Sequence, residues 1–274
     1  MNNECAPNVL REIGRLREVS FRAVGGGSGT ECDLDHFDLD DKACFQLVVW
    51  NPEADEIIGG YRFTRWSMAS FHENGQPYVN TEHLFDFSQK FIDEYFPYCI
   101  EMARAFVQPK YQSAQMGRKA LFALDNLWDG IGGLIATDPS VKYLSGKVTI
   151  YSSSPELSRK AMVYYLDKHF GDREGLITSK NPETWTAEQG EMFEEMFTGA
   201  SYKEDYQILN NYVKSMGDPI PPLIHSYIGL SETMKTFGTT FDPDFGDCYD
   251  TAMIITIADI YKEKYDRYIS SFNI

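Results

Sequence analysis

Residues 98–131 limit the possible folds of this chain more than any other segment, because their sequence predicts a strand, a short loop and a long helix in immediate succession. The strand carries Glu101 and Arg104 within an otherwise apolar run. Charged side chains in such a strand are costly unless they are paired or used chemically. The segment therefore predicts a central strand of an α/β protein, and this strand carries a candidate functional carboxylate.

The loop after this strand, residues 108–117, brings backbone N–H groups to the start of the long helix. The first N–H groups of a helix have no partner inside it, and with the helix dipole they form a binding site for an anion such as a phosphate. A carboxylate beside such a site suits a transferase that takes an acyl group from a phosphate-bearing carrier and places it on an amine.

The other elements follow from hydrophobic spacing and turn residues. Apolar residues three and four apart predict a helix over residues 8–19, and a turn at residues 51–55 predicts a hairpin of two strands, 44–50 and 56–65. We also expect helices over 86–95, 117–136 and 155–170, and strands over 143–150 and 248–257. This order predicts a mixed central sheet with helices on both faces.

Residues 171–216 differ in character, because they are polar and contain helix-starting residues. Pro182, Thr186 and Glu188 favour one helix, and a second is expected near residues 203–215. We therefore expect a helical insertion at about 171–216 within a single domain that spans residues 1–274.

Composition narrows the class of partner and the compartment. The chain has 274 residues and a net charge of −16, which argues against nucleic acid, since neutralising phosphates requires a basic surface. Five widely spread cysteines without a C-x-x-C motif are expected to be free thiols in a reducing cytoplasm. We see no signal peptide and no run of the ~18 apolar residues that a membrane span needs.

Short motifs elsewhere extend the pattern around Glu101-x-x-Arg104. They are Phe21-Arg22-x-Val24, Asp33-x-Asp35-x-x-Asp38, Gly59-Gly60-Tyr61-Arg62-Phe63, Phe85-Asp86-Phe87-Ser88, Leu127-Trp128-x-Gly130-Ile131, Tyr143-Leu144-x-Gly146-x-Val148-x-Ile150, Ile220-Pro221-Pro222-Leu223-Ile224 and Phe241-Asp242-Pro243-Asp244-Phe245. In this order and spacing the chain resembles the acyl-ACP-dependent N-acyltransferases of the ornithine-lipid and glycine-lipid pathways, a GNAT branch often labelled hemolysin-like. It is more distantly similar to the acyl-homoserine-lactone synthases.

The resemblance implies the α/β GNAT fold, in which two adjacent parallel strands splay to admit the pantetheine arm of the donor. It also implies transfer of a long, 3-hydroxylated acyl chain from acyl carrier protein to the amine of an amino acid, glycine or ornithine, which gives a lyso-aminolipid. The expected partners are the carrier protein and the amino acid. Peripheral contact with the membrane is expected for product release, and no cofactor is expected to stay bound.

The donor loop departs from the family pattern at one position. Gln112-x-x-Gln115-x-Gly117 resembles the GNAT pyrophosphate loop, Q/R-x-x-G-x-G/A, with Gln115 in place of the central glycine. This change disfavours ordinary coenzyme A, so we favour acyl-ACP over acyl-CoA as donor, and nearby basic residues are placed to steer the acidic carrier protein. Those basic residues are Lys110, Arg118 and Lys119, and the donor is expected to contact Phe106, Val107, Gln112, Gln115, Gly117 and Arg118.

Acylating an amino-acid nitrogen requires a proton acceptor, a cation for the substrate carboxylate and donors for the oxyanion. Glu101 is the first candidate for the base, directly or through a water, and Arg104 and Asp33 are the other catalytic candidates. The alternative is an internal Glu101–Arg104 ion pair. Residues three apart on a regular strand point to opposite faces, so these two share a face only if a bulge separates them. Such a bulge would also free N–H groups around Phe106 and Val107.

An acidic cluster and two arginines are candidates for acceptor binding. Asp33, Asp35 and Asp38 read either as a solvated loop with Asx turns or, as the resemblance implies, as carboxylates that hold the substrate ammonium. Arg22 and Arg62 both read as residues of strands with apolar neighbours. Either would bind the acceptor carboxylate or pair with the aspartates.

Competing interpretations stay open. His36-x4-Asp41 matches the spacing of glycerolipid O-acyltransferases, whereas the hydrolase elbow G-x-S-x-G fails because Thr30 occupies its last position. The histidines show no metal-ligand spacing, so we expect no metal. One alternative function is an acyl-CoA-dependent acetyltransferase on a small amine. Another is a non-enzymatic membrane-active protein, although the sequence lacks a basic amphipathic helix.

Overall fold

The computed structural model describes residues 3–40, 44–112 and 118–272, with the side chains of 118–122 and 124 outside the description. The strands are β1 Phe45–Asn51, β2 Glu56–Arg65, β3 Phe85–Phe87, β4 Cys99–Val107, β5 Tyr143–Ile150, β6 Ile177–Ser179, β7 Lys235–Asp242 and β8 Cys248–Thr256. The helices are α1 Pro7–Arg22, α2 His36–Leu39, α3 Gln89–Glu94, α4 Pro109–Gln112, α5 Arg118–Thr137, α6 Glu156–Phe170, α7 Ala187–Met196, α8 Tyr202–Ser215, α9 Pro222–Ile228 and α10 Lys262–Tyr268.

Six strands form one mixed sheet in the order β1-β2-β4-β5-β8-β7. Only its central pair, β4 and β5, runs parallel, and the four other pairs are antiparallel. Strands β3 and β6 form a separate two-stranded sheet. The mixed α/β sheet with helices on both faces is therefore confirmed, as are the β1–β2 hairpin and the central strand.

The two parallel strands separate half-way along their length. Their ladder runs from Cys99, opposite Tyr143, to Met102, opposite Gly146, and β4 then continues for five residues without a partner in β5. A Cβ on Gly146 would lie 2.7 Å from the carbonyl oxygen of Met102, so glycine permits the close approach of the strands just before they part. The splay that the family resemblance implied is present.

A bulge interrupts β4 shortly beyond this point. Arg62 pairs with Ala103, but Gly60 pairs with Phe106, so β4 holds one residue more than β2. Arg104 lies in the bulge with a φ of 51°, the left-handed region that L side chains rarely adopt. The sequence required a bulge between Glu101 and Arg104 if the two side chains were to share a face; the observed bulge lies between Ala103 and Phe106, and it re-aims the Arg104 side chain.

Strand alternation gives the sheet two distinct faces. We call one the helical face, because Met102 and Leu144 pack there with residues of α5 and α6. We call the other the aromatic face, because Cys99 packs there with a cluster that includes Trp66 and Phe85. Glu101 lies two residues from Cys99, so its side chain belongs to the aromatic face.

Several elements differ from the expectations. Arg22 ends helix α1 and is not part of a strand, because the apolar helix spacing continues to Phe21. Residues 171–216 contain α7 and α8 as expected, but also β6, which pairs with β3 at the start of the predicted 86–95 helix. Strand β7 was not predicted, since Gly238 and a register shift after Thr236 break its alternation.

Candidate active site

A cavity of about 130 Å³ lies where β4 and β5 separate. Its polar lining comes from the two central strands, the neighbouring strand β8 and the loop before β3. Its apolar lining comes from the same two central strands and from α1, α9 and the β7–β8 connection. The polar residues are Asn80, Glu101, Arg104, Lys147, Thr149 and Asp250, and the apolar ones include Phe21, Leu223 and Phe245. The cavity therefore sits in the opening between the two central strands.

Glu101 lines this cavity although it is only 2% exposed. One carboxylate oxygen accepts a hydrogen bond from Trp66 Nε1 at 3.1 Å, and the other accepts from Thr81 Oγ1 at 2.6 Å. The structure describes both Glu101 and Arg104 and places no ion pair between them, so the ion-pair alternative is wrong. Two neutral donors thus orient a buried carboxylate that faces a cavity, an arrangement suited to a general base.

Arg104 reaches away from Glu101 towards the acidic cluster. Its Nε lies 3.3 Å from Asp33 Oδ2, and its Nη2 lies 3.3 Å from Asp35 Oδ2. The guanidinium also stacks over the ring of Phe245, 4.8 Å from the ring centroid. The bulge therefore places a cation at the cavity wall, with two carboxylates behind it.

The acidic cluster is buried, so its interpretation as a solvated loop is wrong. Asp33 is 3% exposed and Asp38 is 1% exposed, whereas Asp35 caps the short helix α2 and is partly buried. Burial would raise the pKa of Asp35, but Arg62 and Arg104 outweigh it and lower this pKa to about 2. Burial dominates at Asp33 and raises its pKa in spite of Arg104.

Two further arginines, both buried, also form hydrogen bonds with the aspartates of this cluster. Arg62 is 1% exposed, and its Nη1 donates to Asp35 Oδ1 at 2.6 Å and to Asp38 Oδ2 at 2.9 Å. Arg17, which sequence reasoning missed, is fully buried and bonds Asp38 at 3.1 Å. Its position on the apolar side of α1, four residues after Ile13 and seven after Leu10, was the available signal. The expected pairing of Arg62 with the aspartates is present.

Arg22, proposed from sequence to bind the acceptor, lies apart from these groups. Its side chain is 59% exposed, pairs with Glu18 at 2.6 Å and donates to the carbonyl oxygen of Thr30 at 2.7 Å. It does not line the cavity described above. Helical geometry explains this position, because the last turn of α1 directs Arg22 back towards Glu18, four residues earlier.

A second charged group in the cavity was also missed. Lys147 Nζ lies 3.1 Å from Asp250 Oδ2, and Thr149 Oγ1 donates to the other oxygen of Asp250 at 2.7 Å. Lys147 and Thr149 alternate with apolar residues along β5, and this alternation was a signal that they share one face. Their partner lies a hundred residues later in the chain, so spacing alone did not reveal it.

The proposed donor residues begin with the last two residues of β4 and continue into the loop after it. Phe106 is buried and packs over Gly60, and the carbonyl oxygen of Val107 accepts from Gln112 Nε2 at 2.5 Å. Gln108 N–H donates to Ile58 across to β2, and successive N–H groups along a strand point to opposite edges. The N–H of Val107 therefore faces the open side towards β5.

The remaining candidates lie partly outside the described residues. Gln115 and Gly117 fall outside them, as does Asp41 of the His36-x4-Asp41 pattern, and Arg118 and Lys119 are described only as backbone at the start of α5. Lys110, the third member of the proposed basic patch, pairs with Glu56.

Two small apolar cavities, each of about 10 Å³, lie on the helical face behind Met102. Met102 borders both the large cavity and the first small one, and Trp128 and Ile131 line both small ones. These two cavities lie between the splay and helices α5 and α10, and each is about the size of one water molecule. The site presents a base and cations on one face of the sheet and apolar space on the other.

Comparison with known proteins adds independent findings. Residues 16–121 match the family model described as acetyltransferase (GNAT) domain. The chain is 48% identical over 267 residues to a glycine N(alpha)-acyltransferase from Phocaeicola vulgatus. This alignment covers 97% of the present chain and 82% of the Phocaeicola protein. It is 46% identical over 272 residues to a protein of the same name from Bacteroides thetaiotaomicron, with coverage of 99% and 80%.

Among solved structures, a GNAT-like decarboxylase, GphF, in complex with isobutyryl-CoA aligns with 76% of this chain and 76% of its own at 12% identity, with a TM-score of 0.32. None of the described helices has the length and apolarity that crossing a bilayer requires.

Proposed function

The chain belongs to the GNAT acyltransferase family, and we propose that it transfers a long 3-hydroxyacyl chain from acyl carrier protein to the α-amino group of glycine. An acyltransferase is an enzyme, so the non-enzymatic alternative from sequence is wrong. The observation that carries the proposal is the oriented Glu101 carboxylate in the cavity between β4 and β5. The names of the two relatives support glycine over ornithine as acceptor.

In the proposed reaction, Glu101 accepts a proton from the glycine ammonium, directly or through a water. The freed nitrogen lone pair attacks the thioester carbonyl carbon, so a C–N bond forms. The C–S bond then breaks, the positively charged nitrogen of the intermediate gives a second proton to the departing pantetheine thiolate, and Glu101 returns its own proton to water. Backbone N–H groups such as that of Val107, which faces the open edge, are the proposed donors to the oxyanion.

Acceptor and donor enter from opposite faces in this proposal. Glu101 belongs to the aromatic face, and its cavity of about 130 Å³ suits a small acceptor. The two apolar cavities on the helical face are each about 10 Å³, too small for an acyl chain, so we propose that the chain enters along this face by displacing the side chains around them. The product would be an amphiphilic lyso-aminolipid, which we propose is released at a membrane surface.

The donor proposal rests on the sequence of the loop. Gln115 replaces a glycine that ordinary pyrophosphate binding uses, so the family's phosphopantetheine donor on a carrier protein is favoured over coenzyme A. The carrier protein is acidic, and we propose that the positive charges of Arg118 and Lys119 attract it.

We expect a panel of initial rates to test donor and acceptor together. Purified protein is offered long-chain 3-hydroxyacyl-ACP, the same acyl-CoA or acetyl-CoA, with glycine, alanine, serine or ornithine in turn. Glycine with acyl-ACP should give the highest kcat/KM. The kcat/KM for alanine should be at least about 10-fold lower than that for glycine, which is the usual effect of one additional methyl group in a close-fitting pocket.

Two results would overturn parts of this proposal. Equal or higher rates with acetyl-CoA would reject the carrier-protein donor and favour the acetyltransferase alternative. Faster acylation of ornithine would reject glycine as the acceptor.

A further inference from the structure

Lys147 is a cation on the wall of the cavity to which neither the family motifs nor the reaction above gives a role. We propose that Lys147 binds the carboxylate of the acceptor amino acid and thereby selects amino acids over simple amines. This inference rests on the proposed function, since it requires an amino-acid acceptor at this site.

Strand register places Lys147 on the same face as the proposed base. Glu101 lies opposite Ser145 in the parallel ladder, so both side chains point to the aromatic face, and Lys147 follows two residues later. Strand spacing and rise put the Cα atoms of Glu101 and Lys147 about 8 Å apart at minimum, before any splay. An α-amino acid placed between the two side chains would direct its amine to Glu101 and its carboxylate to Lys147.

The immediate contacts of Lys147 leave it able to bind an anion. Its side chain is 11% exposed, and its one described ion pair is with Asp250, which is also fixed by Thr149. An ammonium group has three N–H donors, and the contact with Asp250 uses one. Asp250 thus orients the buried ammonium group, and two N–H donors remain for an anion in the cavity.

The other cations near the cavity are less suited to this role. Arg62 is buried against Asp35 and Asp38, and Arg22 lies exposed outside the cavity lining. Arg104 lines the cavity, but it is shared between Asp33 and Asp35. Arg104 thus contacts two carboxylates, whereas Lys147 contacts one. The additional negative charge of a substrate is therefore best accommodated at Lys147.

The test compares acceptors with and without a carboxylate. In Lys147→Gln we expect KM for glycine to rise by about 10- to 100-fold, the usual effect of losing a charge-assisted hydrogen bond. kcat at saturating glycine and KM for acyl-ACP should change little. The preference for glycine over glycinamide, measured as a ratio of kcat/KM values, should fall by the same factor, and Lys147→Arg should restore much of it.

Lys262→Gln is the matched control, because Lys262 is an exposed lysine that also pairs with an aspartate, Asp266. It should leave both acceptors unaffected. If Lys147 only balanced Asp250, Lys147→Gln would lower the melting temperature and slow both acceptors equally, and the unchanged ratio would overturn the inference. Failure of the proposed function itself is distinguishable, because wild-type protein would then show no acylation of glycine.

Discussion

Replacing Glu101 with glutamine is expected to lower kcat for acyl transfer by about 10²–10⁴-fold, the usual contribution of a general base. Glutamine has nearly the same shape but cannot accept the proton. Its oxygen can accept from Trp66 Nε1, and its amide can donate to Thr81 Oγ1, because a hydroxyl is both donor and acceptor. The melting temperature should therefore stay close to that of the wild type, and single-turnover rates report the loss.

Asp205→Asn is a suitable control for this variant. Asp205 is also a fully buried carboxylate, but it lies on α8 and is held by Lys168, His169 and the N–H of Gly199. Losing the Asp205 charge should lower the free energy of unfolding of the protein and leave kcat unchanged below the melting temperature. A stable Glu101→Gln protein with the wild-type rate would remove Glu101 from the mechanism and shift the role of base to Asp33, Asp35 or water.

Replacing Arg62 with methionine is expected to lower the free energy of unfolding by about 3–5 kcal/mol, because removing one partner leaves buried charge uncompensated. Arg62 is 1% exposed, and Asp38, one of its two partners, is also fully buried. Urea unfolding measures this change. Arg15→Met is the control, since Arg15 pairs with Glu12 at the surface, where such pairs contribute about 1 kcal/mol or less.

The same variant should change the titration of Asp35. A carboxyl whose pKa in the folded state is about 2, against 3.8 ordinarily, adds stability above pH 3.8 and loses it as the pH falls towards 2. Without Arg62, the pKa of Asp35 should rise, which NMR titration would detect. An Arg62→Met protein as stable as Arg15→Met, with an unchanged Asp35 titration, would contradict this account of the cluster.

Sequence patterns predicted the elements whose signals are local. The β1–β2 hairpin, β5 and α6 follow from alternation, turn residues and helix-start residues within a few positions. The possibility of a bulge in β4 followed from one local conflict, namely two charged residues three apart in an apolar strand. Strand β7 was missed although its Thr and Phe residues favour a strand, because Gly238 and the register shift after Thr236 break its alternation.

The site was predicted less completely, because its contacts join distant segments. The burial of the aspartate cluster depends on Arg17 from α1 and Arg62 from β2, and neither neighbour can be read from the aspartate spacing. Lys147 and Asp250 meet only because β5 and β8 are adjacent. Glu101 could be singled out because a lone carboxylate in an apolar strand is informative by itself.

The most direct test of the account is the fate of the amino-acid nitrogen. Purified protein is incubated with long-chain 3-hydroxyacyl-ACP and ¹⁵N-glycine, and the products are identified by tandem mass spectrometry. We predict an N-acylglycine that carries the label in its amide, with one free carrier thiol released for each amide formed. Glu101→Gln should form almost no labelled amide. Release of free 3-hydroxy acid without labelled amide, or amide formed equally by wild type and Glu101→Gln, would contradict it.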